Sequence, residues 1–248
     1  MHLRFKHAKS LKVCIDAITN LVDEGTFEAT KEGLHLRTMD PSQIAMVDFN
    51  MPAASLERVD VNDKARVCLN LVDFSKVLSR TRGEESLDVM LEEKESRLHL
   101  TFEGDSKRVF KMPLLENDGA MPKEPNVPFD ATLKIRGGNF KEMLRDAGLL
   151  SSHVILHFDE EGFHMDARGD AGDVHSETKK DASFVVSLDA KGKSRAMFPF
   201  EYLEDMVKAC PDDAIMEIRL KSDAPIRISY PLGDAQFTYY LAPRVENE

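Results

Sequence analysis

The chain has 248 residues, 42% of them hydrophobic, no tryptophan and a formal net charge of −11. That is enough apolar material for one large domain or two small ones, with cores of Leu, Val, Ile, Met and Phe. The acidic total excludes a protein that coats nucleic acid by bulk charge, but not a locally basic surface.

In chain order, Met1-His2-Leu3-Arg4 leads into no apolar signal core, and no run of 18 apolar residues follows. A soluble protein of the cytoplasm is expected, nucleoid-associated there or nuclear in a eukaryotic source. Lys9 to Val22 is helical, with Leu11, Ile15, Ile18 and Val22 on one face and Cys14 and Leu21 beside them. Leu71 to Arg80 repeats the pattern with Leu71, Phe74 and Leu78, and Asn139–Leu149 and Phe200–Cys210 are further helices. Alternating segments such as Leu87-Asp88-Val89-Met90-Leu91, Leu98–Phe102 and Ile226–Tyr230 read as strands. Glu32-Gly33, Gly104-Asp105, Glu161-Gly162 and Gly233-Asp234 supply turns, and Gly137-Gly138 reads as a turn before a helix.

An internal repeat organises these elements. Glu32-Gly33-Leu34-His35-Leu36 recurs as Glu161-Gly162-Phe163-His164-Met165, a shift of 129 residues. The same shift carries Leu71, Phe74, Val77 and Leu78 onto Phe200, Leu203, Met206 and Val207. It also carries Leu87, Val89 and Leu91 onto Met216, Ile218 and Leu220. The chain therefore divides into residues 1–113, a connector at 114–129 and residues 130–248. Pro113 to Phe129 holds four of the eleven prolines, which read as extended backbone. Each copy reads as strand, helix, three strands, helix, three strands. With helices on one face of a largely antiparallel sheet, the class is α+β.

The exposed helix stripes carry Lys9, Lys12, Asp16 and Thr19; Asp73, Lys76 and Arg80, with Arg82 beyond; Lys141, Glu142 and Arg145; and Glu201, Glu204, Asp205 and Lys208. Charge alone reads these as solvated faces. Residues 1–113 hold 17 basic and 19 acidic side chains against 15 and 22 in 130–248, so any cationic surface is concentrated in the first copy. Cys14, Cys68 and Cys210 lack CxxC spacing and read as core residues rather than a zinc or disulfide framework. The chain has no GxxxxGK[ST], GxSxG or HExxH. His153 and His157, four apart on strand-like sequence, do not by themselves make a metal site. His35 and His164 are repeat equivalents, which favours a structural role. The clusters Glu92-Glu93 and Asp159-Glu160-Glu161 fall at turns. No enzyme, cofactor or metal is indicated.

Three stretches carry a family resemblance. Gly33-Leu34-His35-Leu36-Arg37-Thr38-Met39-Asp40-Pro41-Ser42-Gln43-Ile44-Ala45-Met46-Val47 looks like the signature strand and turn of the proliferating cell nuclear antigen (PCNA) family of DNA sliding clamps. Asn70-Leu71 through Lys76-Val77-Leu78 resembles its second helix, and Tyr239-Tyr240-Leu241-Ala242-Pro243-Arg244-Val245 with an acidic end is similar to its C-terminus. The length suits an archaeal member.

The resemblance implies the DNA clamp fold, two copies of a β-α-βββ-α-βββ unit, and a head-to-tail homotrimer that encircles duplex DNA. It implies a non-catalytic processivity factor whose partners are a clamp loader, DNA polymerase, ligase and flap nuclease, bound through short peptide motifs. By position it marks Lys12, Lys76, Arg80, Arg82, Lys141, Arg145 and Lys208 as facing DNA, while Thr19, Ser79 and Glu201 stand where members often carry cations. It assigns the partner pocket to Met39, Gln43, Ile44, Met46, Pro225, Tyr240, Ala242 and Pro243, with Met121 as the connector contact. Without it, the methionines read as ordinary core. It places the subunit interface on Ser106–Met112, through Lys107, Arg108, Val109, Phe110 and Lys111, and on Asp173–Lys179, through Asp173, Val174, His175, Ser176, Glu177 and Thr178. The same strands otherwise read as surface hairpins of mixed charge. Two alternatives stand: a heterotrimer subunit, which forms no ring alone, and a two-copy enzyme or ligand-binding protein with no ring.

Overall fold

The computed structural model describes residues 1–92, 96–116 and 119–244. Glu93 of the first acidic cluster, Asn117-Asp118 of the connector and Val245 with the acidic end lie outside the described residues.

The first copy runs β1 (His2–Phe5), α1 (Ala8–Thr19), β2 (Glu24–Thr30), β3 (Gly33–Met39), β4 (Ala45–Pro52), β5 (Arg58–Asp60), β6 (Lys64–Asn70), α2 (Leu71–Leu78), β7 (Ser86–Glu92), β8 (Arg97–Glu103) and β9 (Lys107–Pro113). The second runs β10 (Ala131–Arg136), α3 (Gly137–Gly148), β11 (His153–Phe158), β12 (Gly162–Gly169), β13 (Gly172–Lys179), β14 (Val185–Ala190), β15 (Ser194–Pro199), α4 (Phe200–Val207), β16 (Ile215–Leu220), β17 (Ile226–Leu232) and β18 (Ala235–Leu241). A shift of 129 superposes every element of the first copy on its counterpart in the second. The α+β class and the four helices are as expected from the sequence. Between the helices of each copy, however, lie five strands rather than three. The extra ones were hidden because β5 is only three residues long and shows no apolar alternation.

The chain forms two compact units. One comprises Met1–Pro41, Val47–Lys123 and Leu232–Phe237; the other comprises Ser42–Met46, Glu124–Pro231 and the residues from Thr238 on. In the first unit the strand orders are β5-β1-β7-β8-β9 and β6-β2-β3-β4. Helices α1 and α2 pack side by side, α1 against β1 and α2 against β2 and β6. Leu11, Ile15, Ile18, Leu71, Phe74 and Leu78 are all buried, as the helical spacing requires. In the second unit the orders are β13-β12-β11-β15 and β14-β10-β16-β17-β18. There α3 lies over β10, β11, β12 and β13, and α4 over β15. Phe140, Leu144, Leu203 and Met206 fill the space beneath them.

Helix starts leave backbone N–H groups without intrahelical partners, and both copies solve this identically. The Ala8 N–H donates to the Glu85 carbonyl at 2.9 Å, and its equivalent Gly137 donates to the Ala214 carbonyl at 2.9 Å. The Leu71 N–H donates to the Asp23 carbonyl at 2.7 Å, and Phe200 donates to Ser152 at 2.9 Å. Asn70 adds a side-chain cap on the Asp73 N–H at 2.9 Å. The repeat is thus kept in the hydrogen bonds that fix helix position as well as in the apolar pattern.

Gly137-Gly138 is a correction: the pair forms the first two residues of α3, not a turn before it. Glycine is needed there because a Cβ on Gly137 would sit 2.6 Å from Cys210 Sγ and 2.7 Å from the Pro211 carbonyl oxygen. Helix ends also fall short of the periodic stretches, so that Leu21, Val22 and Cys210 follow their helices yet remain at the core's edge. Cys14 and Cys210 are buried and free, and burial pushes both thiols up to about 12. Cys68 is half-buried. Among the described residues, no helix is long and apolar enough to cross a membrane.

The Gly137→Ala variant tests this packing. Because overpacking a rigid backbone contact costs about 1–3 kcal/mol, its urea midpoint should fall clearly below wild type. Gly119→Ala, whose Cβ meets nothing within 4 Å, should leave the midpoint unchanged.

Candidate functional site

The signature stretch forms β3, a turn and β4. At the turn Gln43 takes φ 58°, the left-handed region, and projects as an exposed residue. In the second unit the Ala242 N–H donates to the Ile44 carbonyl at 2.8 Å, which joins the segment after β18 to the segment before β4. Ile44, Pro225, Ala242 and Pro243 are half-buried, whereas Met46 and Tyr240 are only 4% exposed. Met46 therefore belongs to the floor beneath this surface. The Tyr240 hydroxyl donates to Glu124 Oε1 at 2.5 Å. Burial first, and then that carboxylate, push it up to about 12, while the Arg227 guanidinium opposes the shift.

In the first unit, Met121 lines a surface depression with Glu24, Arg37, Thr38, Arg66 and Cys68. Two bonds hold the start of the connector beside β6. The Leu115 N–H donates to the Cys68 carbonyl at 2.9 Å, and Arg66 Nη2 donates to the Gly119 carbonyl at 2.5 Å. Met39, at the end of β3, is half-buried. Nearby, burial would raise Asp48, but hydrogen bonds from His35 and Arg37 outweigh it and hold the carboxylate below its usual range. Arg66 and Glu124 were missed in the sequence, since their roles depend on partners 53 and 116 residues away.

The helix cations are mostly paired with carboxylates of their own surface. Lys12 pairs with Asp16, which also accepts a hydrogen bond from Ser75 Oγ at 2.7 Å. Lys76 lies 2.8 Å from Asp73, and Arg145 lies 2.5 Å from Glu142. Lys141 is drawn inward: its side chain is 12% exposed, and Nζ donates to the Cys210 carbonyl at 2.7 Å and to Asp212 at 2.6 Å. Lys141, Arg145 and Lys208 line one shallow cleft with Glu204, Leu144 and Val207. Arg80, Arg82 and Lys208 are exposed.

The two predicted interface strands stand at sheet ends: β9 closes β5-β1-β7-β8-β9 and β13 opens β13-β12-β11-β15. On β9, Lys107, Val109 and Lys111 are exposed while Arg108 turns inward to Glu85 Oε2 at 2.5 Å and over the Phe102 ring. Phe110 meets Phe102 edge-on. On β13, Asp173, His175 and Glu177 are exposed, Val174 and Ser176 half-buried, and Thr178 buried against Met143. The exposed face of β9 is thus cationic, while that of β13 carries the carboxylates of Asp173 and Glu177 together with His175 and, at its end, Lys179. Two of the other sheet ends are partly covered, β6 by the connector and β15 by the Arg244 N–H on the Met197 carbonyl at 2.8 Å.

Comparisons with known proteins agree over the whole chain. Residues 1–118 match the model of the proliferating cell nuclear antigen N-terminal domain, and residues 123–245 match that of its C-terminal domain. The DNA polymerase sliding clamp of Thermococcus sibiricus is 32% identical over 243 residues, covering 98% of this chain and 97% of that protein. That of Methanococcus maripaludis strain C7 is 31% identical over 247 residues, covering 97% and 98%. Among solved structures, PCNA from Thermococcus kodakaraensis superposes with a TM-score of 0.91 at 24% identity, covering 98% of this chain and 99% of that one. A. fulgidus PCNA bound to the C-terminal region of FEN-1 gives 0.89 at 25% identity, covering 100% and 99%.

The Tyr240–Glu124 contact has a pH signature. A tyrosine proton held more tightly in the folded state stabilises the fold fully below the ordinary pKa of about 10. That contribution is lost as pH rises through the folded value of about 12. Wild type should therefore lose more unfolding free energy across this window than Tyr240→Phe, as read by urea unfolding. Equal losses would show that the tyrosine is not held.

Proposed function

The chain belongs to the proliferating cell nuclear antigen family of DNA polymerase sliding clamps, and we propose that three copies close head to tail into a ring around duplex DNA. It is a tether, not a catalyst. The observation that carries the closure is the pair of complementary sheet ends. An unpaired strand edge offers a row of N–H and C=O groups to any second strand, and here Lys107 and Lys111 stand on one edge and Asp173 and Glu177 on the other. β9 of one subunit beside β13 of the next would continue the ladder and set Lys107 and Lys111 against Asp173 and Glu177. Because the two edges of one chain are complementary to each other, self-closure is favoured over a need for sibling subunits. Residues 1–113 and 130–248 would be the two clamp domains, with 114–129 as connector.

The helix stripes would face the DNA through Lys12, Lys76, Arg80, Arg82, Arg145 and Lys208, with Lys141 contributing through the cleft it lines. Carboxylates already neutralise several of these cations, so each phosphate contact replaces an internal ion pair and gains little. Weak, exchangeable contacts suit sliding, because retention then comes from topology and not from affinity. Partners would dock on the surface of the second unit around Gln43, Ile44, Pro225, Ala242 and Pro243, over the floor of Met46 and Tyr240. A short helical turn with an apolar plug fits such a surface, and methionines accommodate several plugs. FEN-1 on the A. fulgidus protein makes a flap nuclease one expected partner, beside polymerase, ligase and a clamp loader. Work on the chromosome in the cytoplasm is the location this reading implies, and the archaeal source of the similar clamps is consistent with it.

Two measurements check this reading. Light scattering after size exclusion should give three times the 28.0 kDa chain mass. Reversing Lys107 and Lys111 to Glu should weaken the trimer by about tenfold or more, and adding Asp173→Lys and Glu177→Lys should restore it. A monomeric wild type, or a trimer indifferent to the reversal, would remove the edge-pairing account. Separately, Lys76→Ala with Arg80→Ala should lower the slope of log affinity against log salt for duplex DNA by roughly two. An unchanged slope would return that helix to an ordinary solvated face.

A further inference from the structure

A hairpin of the second unit brings together two imidazoles, His157 and His164, that no part of the clamp reading uses. Antiparallel pairing sets His157 on β11 directly opposite His164 on β12. The same row continues to Glu177 on β13 and to Arg195 on β15. The His157 and His164 rings stack at 5.0 Å, and His164 and His175 at 5.8 Å. At the hairpin turn, Asp159 Oδ1 accepts from the Glu161 N–H at 2.9 Å and the Gly162 N–H at 3.0 Å, which fixes the carboxylate. Its Oδ2 then lies 3.8 Å from His157 Nε2 and 3.6 Å from His164 Nε2.

The other copy supplies an internal control. His35 is the equivalent of His164, and its Nε2 is hydrogen-bonded to Asp48 at 3.0 Å. The buried Nε2 of His164 has no hydrogen-bond partner. A shift of 129 puts Glu28 at the place of His157, Arg37 at that of Asp166 and Thr30 at that of Asp159. The first copy therefore builds a closed ion-pair network where the second converges two imidazoles and a carboxylate. A buried polar nitrogen left without a partner is destabilising, a cost the first copy avoids.

We propose that His157, Asp159 and His164 form a binding site for a divalent transition-metal ion of the zinc type. Imidazole with one carboxylate suits such an ion better than calcium or magnesium, which prefer all-oxygen shells. Tetrahedral ligands at about 2.0–2.1 Å from zinc stand roughly 3.3 Å apart; the Asp159 oxygen is within half an ångström of that from each imidazole, and all three ligand atoms lie within 4.8 Å of one another. The three side chains come from one hairpin, leaving a fourth position for water or for His175, which the edge strand carries alongside. Asp159 and Glu177 offset the ion's charge, with the Arg195 cation on the far flank of the row. The site lies within one chain, so it stands whether or not the ring closes.

The test is titration of the full, tag-free chain with Co²⁺, followed by absorption, and with Zn²⁺ by calorimetry. One ion per chain is expected, with the cobalt spectrum displaced by zinc. His164→Gln and His157→Gln should each weaken binding by about tenfold or more. Asp159→Asn, which keeps the oxygen that caps the turn, should weaken it as well, and His35→Gln in the first copy should not. If burial makes His164→Gln unfold, the other two variants still decide the matter. No cobalt spectrum, or equal binding by folded His157→Gln and Asp159→Asn, would overturn the site.

Discussion

Backbone hydrogen bonding at the ends of the sheets is the constraint on which the rest of this molecule turns. A strand interior to a sheet has both rows of its peptide groups paired, but a strand at the end has only one. The chain covers two of its ends itself, β6 with the start of the connector and β15 with Arg244. β9 and β13, of seven and eight residues, lie at sheet ends, with Lys107 and Lys111 exposed on the first and Asp173 and Glu177 on the second. Two different edges on one chain make a heterologous contact, and such contacts close into rings when the rotation allows. The duplicated unit makes the rotation natural, since both copies hold their helices by the same backbone bonds to the same positions.

The helix surfaces follow from what such a ring requires. A protein that holds DNA by affinity needs unpaired cations in number, and most of the helix cations named above are already paired. Its net charge is −11, and Lys12, Lys76, Lys141 and Arg145 each already have a carboxylate partner. That arrangement would be a poor design for a static binder, yet it serves a protein that must move along its track. In the proposed reading partner recognition is handled elsewhere, on a surface over buried Met46 and Tyr240, the latter held by its bond to Glu124. Separating the two tasks allows the partner surface to be specific while the DNA surface stays indifferent to sequence.

Much of this was legible from the sequence because it is local or periodic. The four helices announce themselves by apolar spacing, and the offset of 129 survives in every element because each copy solves the same packing problem. What stayed hidden depends on contacts between distant residues. Gly137-Gly138 looks like a turn until Cys210 and Pro211 are seen against it. Lys141 looks solvated until the carbonyl of Cys210, 69 residues on, takes its ammonium. His157 was weighed against His153 by spacing along one strand, whereas its true neighbour is His164 across the hairpin. The cue was present in the seven-residue interval around Asp159-Glu160-Glu161-Gly162, and only the pairing register turns it into a site.

Topological retention is the central claim, and it is tested most directly by loading the protein onto nicked circular DNA and then linearising the circle. Residence should be long on the closed circle, nearly insensitive to moderate salt, and should collapse once free ends allow the ring to slide off. Equal residence on circular and linear DNA, falling steeply with salt on both, would contradict the account and make this a conventional electrostatic binder.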